Sequence, residues 1–382
     1  MAEGTVIKPD LDFVKKIMKS GGGDSLKKCY QCATCSVVCN VTPDDKPFPR
    51  KEMLQAQWGL KDKLFGNPDI WLCHHCSDCT AYCPRGAKPG EVLGAVRKMS
   101  IEHYAFPGFL GKMVGDPKYL LLALAAPVLL LLVVIGLLGN LRIPEGEIIY
   151  AEKFMPVIAI DTIYILAALF ASVGFVVGIK RYWNDLKAGV EFSTNKWQKM
   201  VKGPLPIIIV NQIVEFMTHK RFKNCDVTGS RSFSHLLVFF GFVGLAITTT
   251  WAIVYLYAMH WESPYPLSDP MKILGNVSAL ILLVGILLVI LNRLKNAGKA
   301  GLGSYYDWLF ICIVLTIVTT GILSEVLRLK EIAHLAYPVY FIHLVSVLFL
   351  FAYAPFSKMA HMVYRMTALV FSKYSGREDK KF

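Results

Sequence analysis

The chain has 382 residues, of which 54% are hydrophobic and 18% charged, with a mean hydropathy of +0.45. That is too apolar and too poor in charge for an ordinary soluble domain, where about a quarter of residues are charged, and it excludes disorder, collagen and a small disulfide scaffold. The net charge of +13 does not indicate nucleic acid, because Lys and Arg sit between long apolar runs, as membrane topology requires.

The N-terminal segment, MAEGTVIKPD onward, has no apolar core and no small-residue cleavage site, so no signal peptide is read and this region is expected to stay in the cytoplasm. Residues 1–117 are hydrophilic and hold eight of the ten cysteines, which marks a separate domain. Cys29, Cys32, Cys35 and Cys39 form one C-x2-C-x2-C-x3-C run; Cys73, Cys76, Cys79 and Cys83 form a second, displaced by 44 residues. The domain is therefore an internal repeat. The second run ends in Cys83-Pro84, the full bacterial ferredoxin pattern, and the first in Cys39-Asn40.

Three thiolates spaced by two residues wrap three corners of an iron–sulfur cube, while the fourth of such a run ligates the other cluster. Cys29, Cys32, Cys35 and Cys83 are thus expected on one [4Fe-4S] cluster, and Cys73, Cys76, Cys79 and Cys39 on the second. Zinc would want CxxC pairs and leave cysteines over, and disulfides do not suit a cytoplasmic domain. The segment between the runs is rich in helix formers and lacks strand alternation, predicting a helical ferredoxin. His74 and His75 are expected to tune hydrogen bonds to a cluster, and His103 and His219 to be surface or interfacial. Cys312 reads as a packing residue and Cys225 as structural.

Six apolar runs follow, at roughly 119–138, 155–179, 233–258, 273–291, 308–324 and 336–356, each of a length to cross the ~30 Å hydrocarbon layer as a helix. Lys plus Arg number 10, 3 and 6 in segments 180–231, 292–306 and 357–382, against 2, 1 and 2 in 139–154, 259–272 and 325–335. This bias places both termini and the iron–sulfur domain on the cytoplasmic side of the inner membrane. Residues 204–222 read as an amphipathic helix on that surface, with its apolar side in the headgroups or against the bundle. The fold class is mainly α: a helical two-cluster ferredoxin domain (1–117) followed by a six-helix transmembrane cytochrome b bundle (118–382).

Neutral imidazole is the usual axial ligand of haem b. If the last helix continues past Pro355, His343 and His361 share one face of it, ~27 Å apart. His361 then matches His235 in depth, and these two are the expected ligands of an inner haem; His343 is expected on an outer haem, with no visible partner in 245–251. Quinone chemistry needs hydrogen-bonding groups, and the weak candidates near the outer face are Asp161, Glu325, His260 and His334. Asp161 serves equally as a helix cap. No GxGxxG unit is present, so flavin, if involved, belongs to partners.

The stretches CYQCATCSVVC and WLCHHCSDCTAYCP resemble the iron–sulfur C component of heterodisulfide reductase and the helical iron–sulfur subunits of succinate dehydrogenase type. RSFSHLLVFFGFVGL and HLVSVLFLFAYAPFSKMAH resemble the nitrate reductase gamma subunit and heterodisulfide reductase E cytochromes b, over about 155–365, with the first span as the link. The fusion resembles the membrane-subunit family of quinone-interacting membrane-bound oxidoreductases. That resemblance implies electron exchange between menaquinol and soluble flavin and iron–sulfur subunits, with adenylylsulfate reductase of sulfate respiration as a more distant partner, and no complete active site on this chain beyond a quinone site. In the gamma-subunit family a second histidine follows the counterpart of His235 by about three turns, where this chain has Leu245. The alternatives are a haem-free anchor that tethers a soluble reductase, or a heterodisulfide reductase-type subunit with another acceptor.

Overall fold

The structure is a computed structural model that describes residues 8–44, 46–194, 203–218, 231–300 and 303–376, and every regular element among them is helical. The hydrophilic part holds α1 (Leu11–Lys19), α2 (Thr34–Val37), α3 (Arg50–Gln57), α4 (Lys61–Phe65), α5 (Asp69–Leu72), α6 (Asp78–Ala81), α7 (Pro89–Tyr104) and α8 (Gly108–Gly115). The apolar part holds α9 (Leu120–Leu137), α10 (Val157–Thr194), α11 (Leu205–Thr218), α12 (Arg231–Ala258), α13 (Pro270–Lys295), the short α14 (Ala297–Ala300), α15 (Tyr305–Leu329), α16 (Ala333–Ala352) and α17 (Ala360–Tyr374). Cys225 and His219 lie outside the described residues.

Among the described residues six helices are long and apolar enough to cross a membrane, and they match the six apolar runs of the sequence. Two differ in extent. The second continues from Val157 to Thr194; no Pro stops it where the charges begin, and Gly178 and Gly189 are carried within the helix. Its polar extension is an arm for the hydrophilic part: Tyr182 and Leu186 are fully buried, and Tyr104 Oη donates to Asp185 Oδ2 at 3.0 Å.

The last apolar run does not continue past Pro355. The helix stops at Ala352, a 3₁₀ turn takes Ala354–Phe356, and α17 starts afresh at Ala360. Pro355 has no N–H to extend the ladder, and its ring disfavours a helical residue before it. His343 and His361 therefore do not share one helix, and the common-face argument for them is corrected. The turn is held by Tyr306 Oη donating to the Phe356 carbonyl at 2.9 Å and by Lys358 Nζ, 2.7 Å from Asp307 Oδ1.

Small residues set the pairing of α12 with α13. A Cβ on Gly241 would lie 2.8 Å from the Leu282 Cβ, and one on Gly285 2.8 Å from the Val238 nitrogen. Such close backbone approach is how membrane helices gain van der Waals contact where no hydrophobic force drives them together. The amphipathic helix read over 204–222 forms as α11 and packs against α17. One contiguous core unites the two parts, running from Phe13 and Ile17 through Trp71, Tyr104 and Tyr182 to Phe349, Tyr364 and Phe371.

Candidate functional site

The sequence repeat is repeated in the backbone. Gln31 and Ala33 have φ of 61° and 71°, and their counterparts 44 residues on, His75 and Ser77, have 56° and 71°. A single helical turn follows each pair, at Thr34–Val37 and Asp78–Ala81. Left-handed residues between the cysteines turn successive N–H groups inward, making a concavity that suits an anionic centre. The His75 N–H donates to Cys73 Sγ at 3.3 Å.

The thiols fall into two sets that cross the motifs. Burial pushes Cys35 up to about 11, helped by Cys29, Cys32 and Cys83. Burial likewise raises Cys29, with Cys83 and Cys32 adding to it. Cys39 is pushed up to about 12 by burial and then by Cys73, and Cys79 is raised by burial, then Cys73, Cys76 and Cys39, and least by Cys35 of the other set. Raised in this way, these thiols stay protonated in the folded chain, and a metal centre would displace their protons as it binds. Among the described residues no group of three His, Cys, Asp or Glu is set for a single metal ion; a cubane spreads its four thiolates more widely than one ion does.

The second motif is locked from both sides. Arg97 of α7 donates to the Ile70 and Cys73 carbonyls at 3.1 and 3.0 Å, and Arg365 of α17 donates to the same Cys73 carbonyl at 2.9 Å. Arg97 also donates to His75 Nδ1 at 2.8 Å. That contact fixes the ring as the Nε2–H tautomer, which donates to Glu91 Oε1 at 3.1 Å. Arg97, Arg365 and Glu91 were not singled out in the sequence; an Arg within an apolar helix face is the one local sign they carry. Two residues before Cys73, the fully buried Trp71 has its ring 5.4 Å from His361 and 5.4 Å from Tyr364, the latter stacked at 29°. His361 keeps some accessible surface, yet desolvation, with Lys358, Arg97 and Arg365, holds it well below the usual imidazole value, in the neutral form that ligates.

Beside this motif lie two buried carboxyls, Glu52 and Asp69, 0% and 1% exposed. Asn67 Nδ2 donates to Glu52 Oε1 at 2.8 Å. Burial, and then Asp69, push Glu52 up to about 8, whereas an unfolded Glu titrates near ~4.3. The folded chain thus keeps a proton that the unfolded chain releases, and the stability this gives at low pH is lost as pH rises through about 8. Glu52→Gln will melt like the parent below about pH 4, and increasingly higher than the parent as pH rises from there to about 8. Thermal unfolding across that range checks this, and parallel profiles refute it.

Of the remaining histidines, His343 lies against α15. Its Nδ1 donates to the Ile317 carbonyl at 3.0 Å and stands 3.2 Å from Thr320 Oγ1, which leaves the Nε2 lone pair available, the arrangement typical of a metal-ligating imidazole. A Cβ on Gly321 would sit 3.1 Å from its Cε1, so glycine there makes room for the ring. His235 opens α12 with an exposed side chain, and α12 packs chiefly on α13, whereas α17 packs on α5, α10 and α11. An open groove of about 510 Å³ runs along α12 past Val243, Ala246, Ile247, Thr250, Trp251 and Val254. It is lined by residues of α12 alone and holds no histidine.

The quinone candidates are dispersed. Asp161 is not a cap; it stands a turn inside α10 and accepts from Tyr257 Oη at 2.6 Å. Glu325 is 3.2 Å from Lys272 Nζ and accepts from Asn276 at 3.5 Å. His260 and His334 are exposed. Cys312 is exposed on α15 rather than packed inside. His103 is exposed, with its ring on Phe65 at 5.0 Å.

Among the described residues the fold joins a helical domain carrying two four-cysteine motifs to six helices long and apolar enough to cross a membrane. Residues 25–87 match the 4Fe-4S dicluster domain model, and residues 114–381 match the model of citrate utilization protein B. The chain belongs to the citrate utilization protein B family. It is 27% identical to citrate utilization protein B of Escherichia coli, over 93% of this chain and 92% of that one. It is 38% identical over 113 residues to the C component of the H(2):CoB-CoM heterodisulfide,ferredoxin reductase of Methanothermobacter marburgensis, covering 28% of this chain and 57% of that protein. It is 26% identical over 184 residues to the E component of the dihydromethanophenazine:CoB–CoM heterodisulfide reductase of Methanosarcina thermophila, covering 45% and 67%. The chain spans about half the length of the heterodisulfide reductase C relatives it matches. No solved structure matches it.

Proposed function

We propose that this chain is the membrane electron-transfer subunit of a quinone-dependent oxidoreductase complex, carrying single electrons between menaquinol and soluble flavin or iron–sulfur subunits. The observation that carries it is the crossing of the thiols: Cys83 beside Cys29 and Cys35, and Cys39 beside Cys73 and Cys76. Cys29, Cys32, Cys35 and Cys83 would hold one [4Fe-4S] cluster; Cys73, Cys76, Cys79 and Cys39 would hold the other. His235 and His361 would hold an inner haem b, and His343 an outer one. Bound there, these groups supply one-electron redox centres that need little movement of protein atoms.

The chain's own residues give those centres rigid seats. Left-handed turns at Gln31, Ala33, His75 and Ser77 aim N–H groups at sulfur, and Arg97 and Arg365 clamp the backbone of Cys73. Trp71 joins the Cys73 loop to His361. The positive-inside bias supports residues 1–117 as a domain on the cytoplasmic face of the inner membrane.

The fused architecture supports the membrane-subunit family of quinone-interacting membrane-bound oxidoreductases, with adenylylsulfate reductase downstream in sulfate respiration. A second reading rests on the near full-length similarity to a citrate utilization protein: the soluble partner is then an enzyme of citrate use, with the same electron path. Reduced-minus-oxidised optical spectra with haem quantification test the proposal. The full chain will show b-type bands, and His361→Leu will diminish them while leaving its iron–sulfur content intact. Purified protein without b-type bands would mean a haem-free anchor.

A further inference from the structure

The two cysteine motifs differ in what covers them. Cys73 and Cys79 are each 8% exposed, closed over by α7 and by Arg365 reaching in from α17. Cys32 of the first motif is exposed, and around it the hydrophilic part turns apolar and aromatic surface to water: Tyr30 is 68%, Val37 80% and Tyr82 54% exposed. Cations sit among them. The Arg85 guanidinium lies 4.1 Å from the centre of the Tyr30 ring. Arg50 Nε donates to the Gln31 carbonyl at 3.0 Å, between Cys29 and Cys32 in the chain. Lys27 and Lys28, both exposed, immediately precede Cys29. Exposed aromatic side chains with arginine are the composition of protein interfaces, not of ordinary surface.

We propose that this exposed face of the first motif, centred on Tyr30, Cys32, Tyr82 and Arg85 with Lys28 and Arg50 at its rim, is the docking surface for a soluble redox protein whose own face is rich in carboxylates. The inference rests on the electron-transfer reading and gives it a direction: the second motif faces the bundle, and the first faces the partner. At this surface one electron would cross between the centre that Cys29, Cys32, Cys35 and Cys83 would hold and the partner's flavin or iron–sulfur group. One side is oxidised by one electron, the other reduced by one, and no bond forms or breaks. The basic rim steers an acidic protein into contact and repels a basic one.

The test uses the full chain in detergent, oxidised, mixed rapidly with either of two reduced donors. Flavodoxin hydroquinone is an acidic protein donor; the methyl viologen radical is a small cation that needs no docking surface. Bleaching of the iron–sulfur absorption gives the rate. With flavodoxin, the doubly reversed variant Lys28→Glu/Arg85→Glu will react at least about tenfold more slowly at low salt, and the difference will shrink as salt rises. With methyl viologen the same variant will react as fast as the parent or faster, which shows its centres to be intact. Carbodiimide coupling will join flavodoxin carboxylates to Lys27 or Lys28. Flavodoxin rates indifferent to the reversal overturn the docking surface, as does loss of binding only to vesicles containing phosphatidylglycerol, which would make this face a lipid contact. A parent chain that methyl viologen cannot reduce would instead overturn the electron-transfer reading itself.

Discussion

Changing Cys83 to serine will damage the iron–sulfur centre of the other motif. Cys83 belongs by sequence to the run that begins at Cys73, but its charge is felt by Cys29 and Cys35, while the thiol that crowds Cys39 most is Cys73. A serine oxygen is a poor ligand for iron, so the affected centre loses a corner or its whole cube. Cys83→Ser and Cys29→Ser will therefore share one defect, with roughly half the iron and sulfide lost or converted to a three-iron form. Cys39→Ser and Cys73→Ser will share the other. Iron and acid-labile sulfide analysis with electron paramagnetic resonance of oxidised and reduced protein distinguishes them. If the Cys83→Ser spectrum matches that of Cys73→Ser, the ligands are not crossed and the scheme fails.

The dicluster domain was legible in the sequence because motif spacing is a local property and the repeat states it twice. The six spans were legible for a related reason: an uncharged run as long as the bilayer is thick has few other places to go. Side-chain placement across the fold was not. Pro355 was in plain view, but whether a proline kinks a helix or ends it depends on what receives the chain beyond it. Here Tyr306 and Asp307 of α15 catch the turn, contacts 50 residues away in sequence. The same break frees α17 to lie along α5 and carries His361 to Trp71 and Arg365 to Cys73. Nothing near Arg365 marks it as a partner of a loop 292 residues earlier. The run of α10 past its charged residues was missed because Tyr182 and Leu186 find cover only in the tertiary fold.

Trp71→Ala will loosen the joint between the hydrophilic part and the bundle more than any other single truncation there. The indole is fully buried and meets three rings on two other helices, with ring centroids 6.2 Å from Tyr182 of α10 and 5.4 Å from both His361 and Tyr364 of α17. Removing a buried Trp costs about 3–5 kcal/mol, part of it for the cavity left behind. Trp71→Phe keeps an aromatic face for Tyr364 and will lose less. Because the Cys73 loop is held by its own His75 N–H and by Arg97 and Arg365, the iron content of Trp71→Ala will stay near that of the parent even as the joint opens. Thermal unfolding in detergent will show the lowered transition, and limited proteolysis will cut the chain faster between α8 and α9. A transition unmoved by the alanine would mean that the two parts are held together elsewhere, by α8 and the Tyr104–Asp185 contact, and that the indole serves His361 and Cys73 without bearing the joint.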